Sequence, residues 1–483
     1  MSENRLSARR VTVLVGALTL LGALLRFPTL GHQSLWLDEL YTRWLAGLHV
    51  GQMLDEIPRT ERTPYLYYLA EWVSVRVGSE SESGLRVLSA IAGTATIPVV
   101  YAAGSRLVSS RSGLVAALLV AVNPFLVWYS QEARAYALVV LFVSIGLACW
   151  AGAKEQSGWA LVGWGVASAL ACATHYFAAF VVLPQAVWLL VSGRQSRRAS
   201  LVACAAPLAV LLLHVPLVRD QSSGGVDLGG DSLLRRLVGT AKDFVVGFSF
   251  PLERAGSLVA FGLVCVGIVL GVRLSGKARA GVRAAAAIGV VALAVPVGLA
   301  LVGVDYIVPR NLVVALVPLL VALGGAYAGS RAGLVSAALL AALSLTIVVS
   351  VSTDLRYGRS DWRGAGQALD VGGRPRALVV TPTVRTDLIQ PYLPGVEAIV
   401  EPVRVQSIAV VSLATEGGLS GGAVVPPAPS VNDAPPGFEL ASTRRTATYS
   451  LAVLTSDRPR VVTPAQLEQL GFAGRPVRLF LQR

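Results

Sequence analysis

The feature that most restricts this chain is a succession of long apolar runs, at residues 11–30, 86–106, 113–130, 135–153, 158–174, 176–192, 200–218, 257–272, 284–304, 311–328 and 333–352. A run of about 20 apolar residues is long enough for the hydrocarbon core of a bilayer. Inside that core every backbone polar group must be satisfied within its own segment, so each run is predicted to be a helix. The first run is short from Val11 to Leu25, so Arg26 is expected to snorkel while Phe27 to Leu30 complete the crossing. Because no small-residue cleavage site of the usual form follows, the run reads as an uncleaved span and not as a secretory signal.

Basic residues set the orientation of such a bundle. Arg106 and Arg111, Lys154, the group Arg194, Arg197 and Arg198, the group Arg273, Lys277, Arg279 and Arg283, and Arg331 fall in alternate gaps, on the same side as Arg5, Arg9 and Arg10. The positive-inside bias therefore predicts a cytoplasmic N-terminus, eleven crossings and an external C-terminal portion. Residues 1–352 read as the membrane domain, with a long external loop at 31–84.

Composition supports that class. Hydrophobic residues make up 54% and charged residues 14%, and the mean hydropathy of +0.63 is far above that of soluble chains. The net charge of +13 would suggest nucleic acid in a soluble protein. Here the arginine is a topology signal, and nucleic acid is rejected as a partner in favour of the lipid bilayer. Cys149, Cys172, Cys204 and Cys265 lie in apolar stretches without metal spacing and read as small core residues. Abundant arginine, alanine, valine and glycine beside only three lysines suggest a bacterial source.

From residue 353 to 483 the pattern changes to short β-rich runs divided by Pro, Gly and Asp. Ala377 to Thr381, Ser407 to Leu413, Tyr449 to Thr455 and Val477 to Leu481 are predicted strands, and Gln367 to Asp370 part of a short helix. A soluble external α/β domain follows, with residues 417–437 as a loop within it.

Polar side chains gather in the external segments. The loop 31–84 carries Asp38, Glu39, Asp55, Glu56, Arg59, Glu61 and Arg62, then Tyr65, Tyr67 and Tyr68; the next external turn carries Tyr129, Gln131, Glu132, Arg134 and Tyr136; His175 with Tyr176, and Asp305 with Tyr306 and Arg310, complete the set. The predicted midplane holds essentially no acidic residue, which argues against an ion-coupled transporter. In SLWLDELYTRWLAGLH, Leu37, Leu40, Tyr41, Trp44, Leu45 and Leu48 recur at helical spacing, so the segment reads as an amphipathic interfacial helix. Asp38 and Glu39 at its start suit either a solvated helix terminus or general acid–base chemistry. Glu132 with Arg134 suits an interfacial ion pair as well as a substrate contact. His175 reads more readily as a cap on an aromatic interface than as a metal ligand, and Trp36, Trp44, Trp72 and Trp128 read as belt anchors that could also stack on a sugar.

Seven segments carry a family resemblance: SLWLDELYT, ERTPYLYYLAEW, LRVLSAIAGTATIPVVYAAGSRL, NPFLVWYSQEARAYAL, ATHYF, VPRNLVVALVP and SDWRGAGQAL. In this order, from about Leu30 to Leu369, they resemble glycosyltransferase family 39 of the C-type superfamily, which includes relatives of protein O-mannosyltransferases and the lipid A aminoarabinose transferase. The resemblance implies a C-type glycosyltransferase fold and inverting transfer of one sugar from a polyprenyl-phosphate donor to a glycan, lipid or protein acceptor of the cell envelope, at the outer face of a bacterial plasma membrane. It places a general base at Asp38; Glu39 beside it, the second catalytic candidate, suits orienting Asp38, binding a divalent ion or a plain surface charge. Its substrate-binding candidates are Arg62, Tyr65, Tyr68, Tyr129, Glu132, Arg134, His175, Tyr176 and Arg310. Arg62, Arg134 and Arg310 suit the leaving phosphate, because a guanidinium fork matches its oxygens. The chain departs from the family at Thr63-Pro64-Tyr65, where His-Pro-Pro or Thr-Pro-Pro is frequent, and at Asn311, where Tyr is common. No cofactor is required by this chemistry, and dependence on a divalent metal stays open. A flippase or transporter of lipid-linked sugar, or a non-catalytic scaffold that binds it, would use the same external aromatics without a base.

Overall fold

The computed structural model describes residues 7–192, 194–222, 231–369, 375–414, 434–470 and 476–483. The chain divides into two compact units. One comprises Met1–Leu30 with Leu45–Ser350, and the other comprises Gly31–Trp44 with Val351–Arg483.

The first unit is helical. Among the described residues, seven helices are long and apolar enough to cross a membrane: Glu82–Leu107, Tyr136–Ala153, Arg197–Gln221, Glu253–Arg273, Gly276–Leu301, Pro309–Ala328 and Arg331–Thr353. Ser110–Val122 and Pro124–Ser130, bent by 59°, make an eighth if counted together. The bend falls at Asn123-Pro124, where proline removes a ladder donor and the Asn123 Oδ1 caps the new helix by accepting from the Leu126 N–H at 2.9 Å. The expected count of eleven thus becomes seven or eight on length and apolarity. The three remaining runs form Ala8–Leu24, Gly158–Thr174 and Tyr176–Val191, each too short for that test.

Arg26 does not snorkel. It is 1% exposed, and its guanidinium donates to Ser130 Oγ at 3.1 Å and to the carbonyls of Gly22, Ala121 and Val120 at 3.0, 2.9 and 3.3 Å. Carbonyls freed near helix ends supply what water would otherwise give. Small residues bring the helices together. A Cβ on Gly104 would meet the Gly113 Cα at 2.9 Å, and one on Gly281 would meet the Leu107 carbonyl oxygen at 2.0 Å. Such close approach is how helices associate where no hydrophobic force acts between them.

The segment expected as a long external loop is mostly helical, with Leu37–Gly47, Val50–Thr60 and Tyr65–Val77. Between two of the apolar runs, the amphipathic helix Leu233–Val246 buries Arg236, Thr240, Asp243 and Phe244 on one side.

The second unit contains a six-stranded sheet made of β1 (Arg376–Thr381), β2 (Val396–Ala398), β3 (Val403–Leu413), β4 (Glu439–Arg445), β5 (Tyr449–Val462) and β6 (Arg478–Gln482), in the order β2-β6-β1-β3-β5-β4. β1 and β3 are parallel, with Val379 opposite Val410, and the other pairs are antiparallel. β1 is buried at every position, as a central strand covered on both faces should be. Ala377, Val379, Ile408, Val410, Leu454, Leu467 and Leu479 form its core. The four predicted strands correspond to β1, β3, β5 and β6. The two missed strands lie at the sheet edges. β2 has three residues, and β4 (ELASTRR) is exposed throughout and shows no apolar alternation. The short helix runs over Trp362–Leu369. Asp370 and most of the predicted 417–437 loop lie outside the described residues.

Candidate active site

In the first unit several of the candidates are linked, and Arg134 and Tyr68 meet at a residue the sequence did not single out as a ligand. Glu61 follows the helix Val50–Thr60, leaves helical geometry, and is 3% exposed. Its Oε2 lies 2.8 Å from Arg134 Nη2 and accepts a hydrogen bond from the Tyr68 hydroxyl. Its Oε1 has no hydrogen-bond partner among the described residues. The Tyr68 hydroxyl also meets Thr63 Oγ1 at 3.1 Å, and the Arg134 guanidinium sits 5.9 Å from the Tyr68 ring centre. Burial pushes the Tyr68 phenol well up, with Glu61 adding to the effect against Arg134, so it remains a hydroxyl donor at all physiological pH.

A second hub is Gln221, also missed, at the end of the helix Val215–Ser222. It is buried; its Nε2 donates to the Thr63 carbonyl at 3.2 Å, and its Oε1 accepts from the Tyr176 hydroxyl at 2.8 Å. Its own carbonyl accepts from Arg62 Nη1. His214 Nδ1 donates to the Val210 carbonyl over 2.7 Å, and the ring lies 6.4 and 6.2 Å from the rings of Tyr65 and Tyr176. No sequence pattern reveals the links of Gln221, which span 158 residues to Thr63, 159 to Arg62 and 45 to Tyr176.

An aromatic chain completes the network. Tyr129 packs on Tyr136 at 4.7 Å, and Tyr136 on His175 at 5.9 Å. His175 Nδ1 accepts from the Phe177 N–H at 3.2 Å. Burial pushes the His175 imidazole down to about 3, and the charges of Arg134 and Arg310 push the same way. It is therefore neutral at physiological pH, with Nε2 carrying the proton as Nδ1 accepts. Glu132 is buried one turn from Arg134, whose N–H donates to the Glu132 carbonyl at 2.8 Å. Arg62 is exposed and Arg310 half-buried. Asp305 is gripped by Arg236, at 2.8 Å from Nη1 to Oδ1, and this hydrogen bond holds its carboxyl below the usual range.

Asp38 and Glu39 belong to the second unit. Asp38 is half-buried at the first turn of Leu37–Gly47. Glu39 is fully buried, and its Oε2 accepts from the Trp36 N–H at 3.3 Å, the back-bond of a capping box at a helix whose N-cap has no side-chain oxygen. Among the described residues no three His, Cys, Asp or Glu side chains gather as a metal site.

The model of the dolichyl-phosphate-mannose-protein mannosyltransferase family matches residues 61–218. That segment is similar to the mannosyltransferase family the model describes. The family segment is about a third of the chain, narrower than the span of the resemblance. It contains Glu61, Arg62, Tyr65, Tyr68, Tyr129, Glu132, Arg134, His175 and Tyr176; Asp38, Glu39 and Arg310 lie outside it. No curated protein matches the chain. Solved structures similar to it include the protein O-mannosyltransferase Pmt1-Pmt2 complex of S. cerevisiae bound to the sugar donor, at 16% identity over 45% of this chain and 35% of that one, with a TM-score of 0.34. The archaeal oligosaccharyltransferase AglB from Archaeoglobus fulgidus is similar at 12% identity, 75% and 58% coverage and a TM-score of 0.47. ArnT from Cupriavidus metallidurans is similar at 12% identity, 93% and 98% coverage and a TM-score of 0.40. The chain spans about a third of the yeast protein and under two thirds of the archaeal one.

Proposed function

We propose that the chain is an integral membrane glycosyltransferase that moves one sugar from a polyprenyl monophosphate to a hydroxyl of a cell-envelope acceptor, with inversion, at the outer face of a bacterial plasma membrane. The observation that carries this reading is that the segment matching the mannosyltransferase family model contains eight of the nine substrate-binding candidates the sequence named. All eleven apolar runs cross in this reading, with the N-terminus cytoplasmic and the sheet domain external.

Asp38 accepts the proton of the acceptor hydroxyl as its oxygen bonds to the anomeric carbon; the bond from that carbon to the phosphate oxygen breaks, and polyprenyl monophosphate leaves as an anion. Glu39 holds the turn that presents Asp38. Arg62 and Arg310, the more accessible of the three candidate arginines, take the phosphate charge. Arg134 is committed to Glu61 and keeps Tyr68 and the aromatic wall in place. Tyr65, Tyr129, Glu132, His175 and Tyr176 line the donor. His175, being neutral, donates a hydrogen bond and no proton.

The test is incubation of purified protein with a panel of radiolabelled polyprenyl-phosphate sugars and envelope acceptors, wild type against Asp38→Asn. The variant is expected to bind donor and lose turnover by about 10²–10⁴-fold. No transfer from any donor, together with translocation of lipid-linked sugar that is unaffected by Asp38→Asn, would establish a flippase instead.

A further inference from the structure

Nothing in the sequence ties the C-terminal sheet domain to the Asp38 stretch, yet within the second unit the two are bonded at successive points. The Gly31 carbonyl accepts from Arg363 Nη2 at 3.0 Å, and Gln33 Oε1 accepts from the Arg359 N–H at 3.0 Å. Ser34 Oγ donates to the Ser360 carbonyl at 2.9 Å, and the Leu35 N–H donates to the Tyr392 hydroxyl at 2.7 Å. Beyond Asp38, the Arg385 guanidinium lies 4.7 Å from the Trp44 ring centre and 5.9 Å from that of Tyr41. Asp387 orients it through paired bonds of 3.1 and 2.6 Å. Asp38, Tyr41 and Trp44 are spaced by three residues, so they follow one ridge of the helix.

A helix of eleven residues is marginal on its own in water, so its geometry must come from what it packs against. We infer that the sheet domain is a positioning device for the Asp38 carboxylate, with Tyr392 and Arg385 as its positioning residues. Tyr392 fixes the chain three residues before Asp38, and Arg385 clamps the ridge three and six residues after it. Neither touches the reacting atoms. This inference rests on Asp38 acting as the base, and a carboxylate displaced by about 1 Å loses on the order of a hundredfold in rate.

The experiment uses the full-length protein in nanodiscs, with Arg385→Ala, Arg385→Lys and Tyr392→Phe. Hydrogen exchange is followed at residues 37–44, and transfer kinetics are followed with undecaprenyl-phosphate mannose or whichever sugar of the donor panel turns over. Arg385→Ala is expected to speed exchange at 37–44 and to lower kcat by about tenfold to a hundredfold with donor KM unchanged. Arg385→Lys restores part of kcat because the cation remains over the rings, and Tyr392→Phe, which keeps the ring, lowers kcat less. Unchanged exchange at 37–44, or faster exchange with unchanged kcat, overturns the positioning role. Failure of the base assignment is distinct, because it shows as Asp38→Asn at full rate.

Discussion

Arg134 Nη2 and Glu61 Oε2 stand 2.8 Å apart with their side chains only 8% and 3% exposed, and this pair ties the turn after Ser130 to the segment before the helix Tyr65–Val77. Two charges taken this far out of water depend on each other. Removing Glu61 takes from Arg134 a carboxylate held 2.8 Å away in a low dielectric, which costs more than the pair itself contributes. Glu61→Ala is expected to destabilise the first unit by about 3–5 kcal/mol, read as a lowered melting temperature in detergent. Tyr68→Phe, which removes a single hydrogen bond to the carboxylate, costs about 1.5–3 kcal/mol. Equal losses in the two variants would show that the pair is not the source of the stability.

His175 gives the first unit a pH dependence of known sign. Its imidazole is buried neutral with its pKa pushed down to about 3, whereas the unfolded chain has an ordinary histidine near 6.5. Between those values the unfolded state binds the extra proton, so stability is lost as pH falls from about 6.5 toward 3. Melting temperature measured across that window should decline, and His175→Gln should decline less. A variant with the wild-type slope would refute the assignment.

Gln221 joins Thr63 and Tyr176 through its side-chain amide. Gln221→Ala leaves the Thr63 carbonyl and the Tyr176 hydroxyl without these partners, at a cost of about 1–3 kcal/mol for each group left unsatisfied. In transfer assays the expected signature is a raised donor KM with kcat little altered, since the amide shapes the donor wall and touches no reacting bond. A fall in kcat at constant KM would contradict that placement.

Gly113 tests the helix packing. A Cβ there would meet the Tyr101 carbonyl oxygen at 2.5 Å and the Ser105 nitrogen at 2.9 Å, both rigid backbone. Gly113→Val should lower the yield of monodisperse protein, whereas the same change at Gly262, which has open space around it, should not. Equal yields would mean that the helices can separate without loss.

The sequence by itself determined the helical membrane class, the change to a β-rich domain after residue 352 and the placing of Arg62, Tyr65, Tyr68, Arg134 and His175 between apolar runs. Each of these depends on local pattern: run length against bilayer thickness, alternation in a strand, and charge in alternate gaps. Edge strand β4 escaped because it is exposed throughout and shows no apolar alternation. Only the tertiary structure decided that Glu61 holds Arg134, that Gln221 links Thr63 to Tyr176, and that residues 31–44 pack with the sheet domain three hundred residues later. Those outcomes turn on which buried polar groups find each other. A buried donor or acceptor must be satisfied by whatever lies nearest in space, and no periodicity along the chain encodes that neighbour.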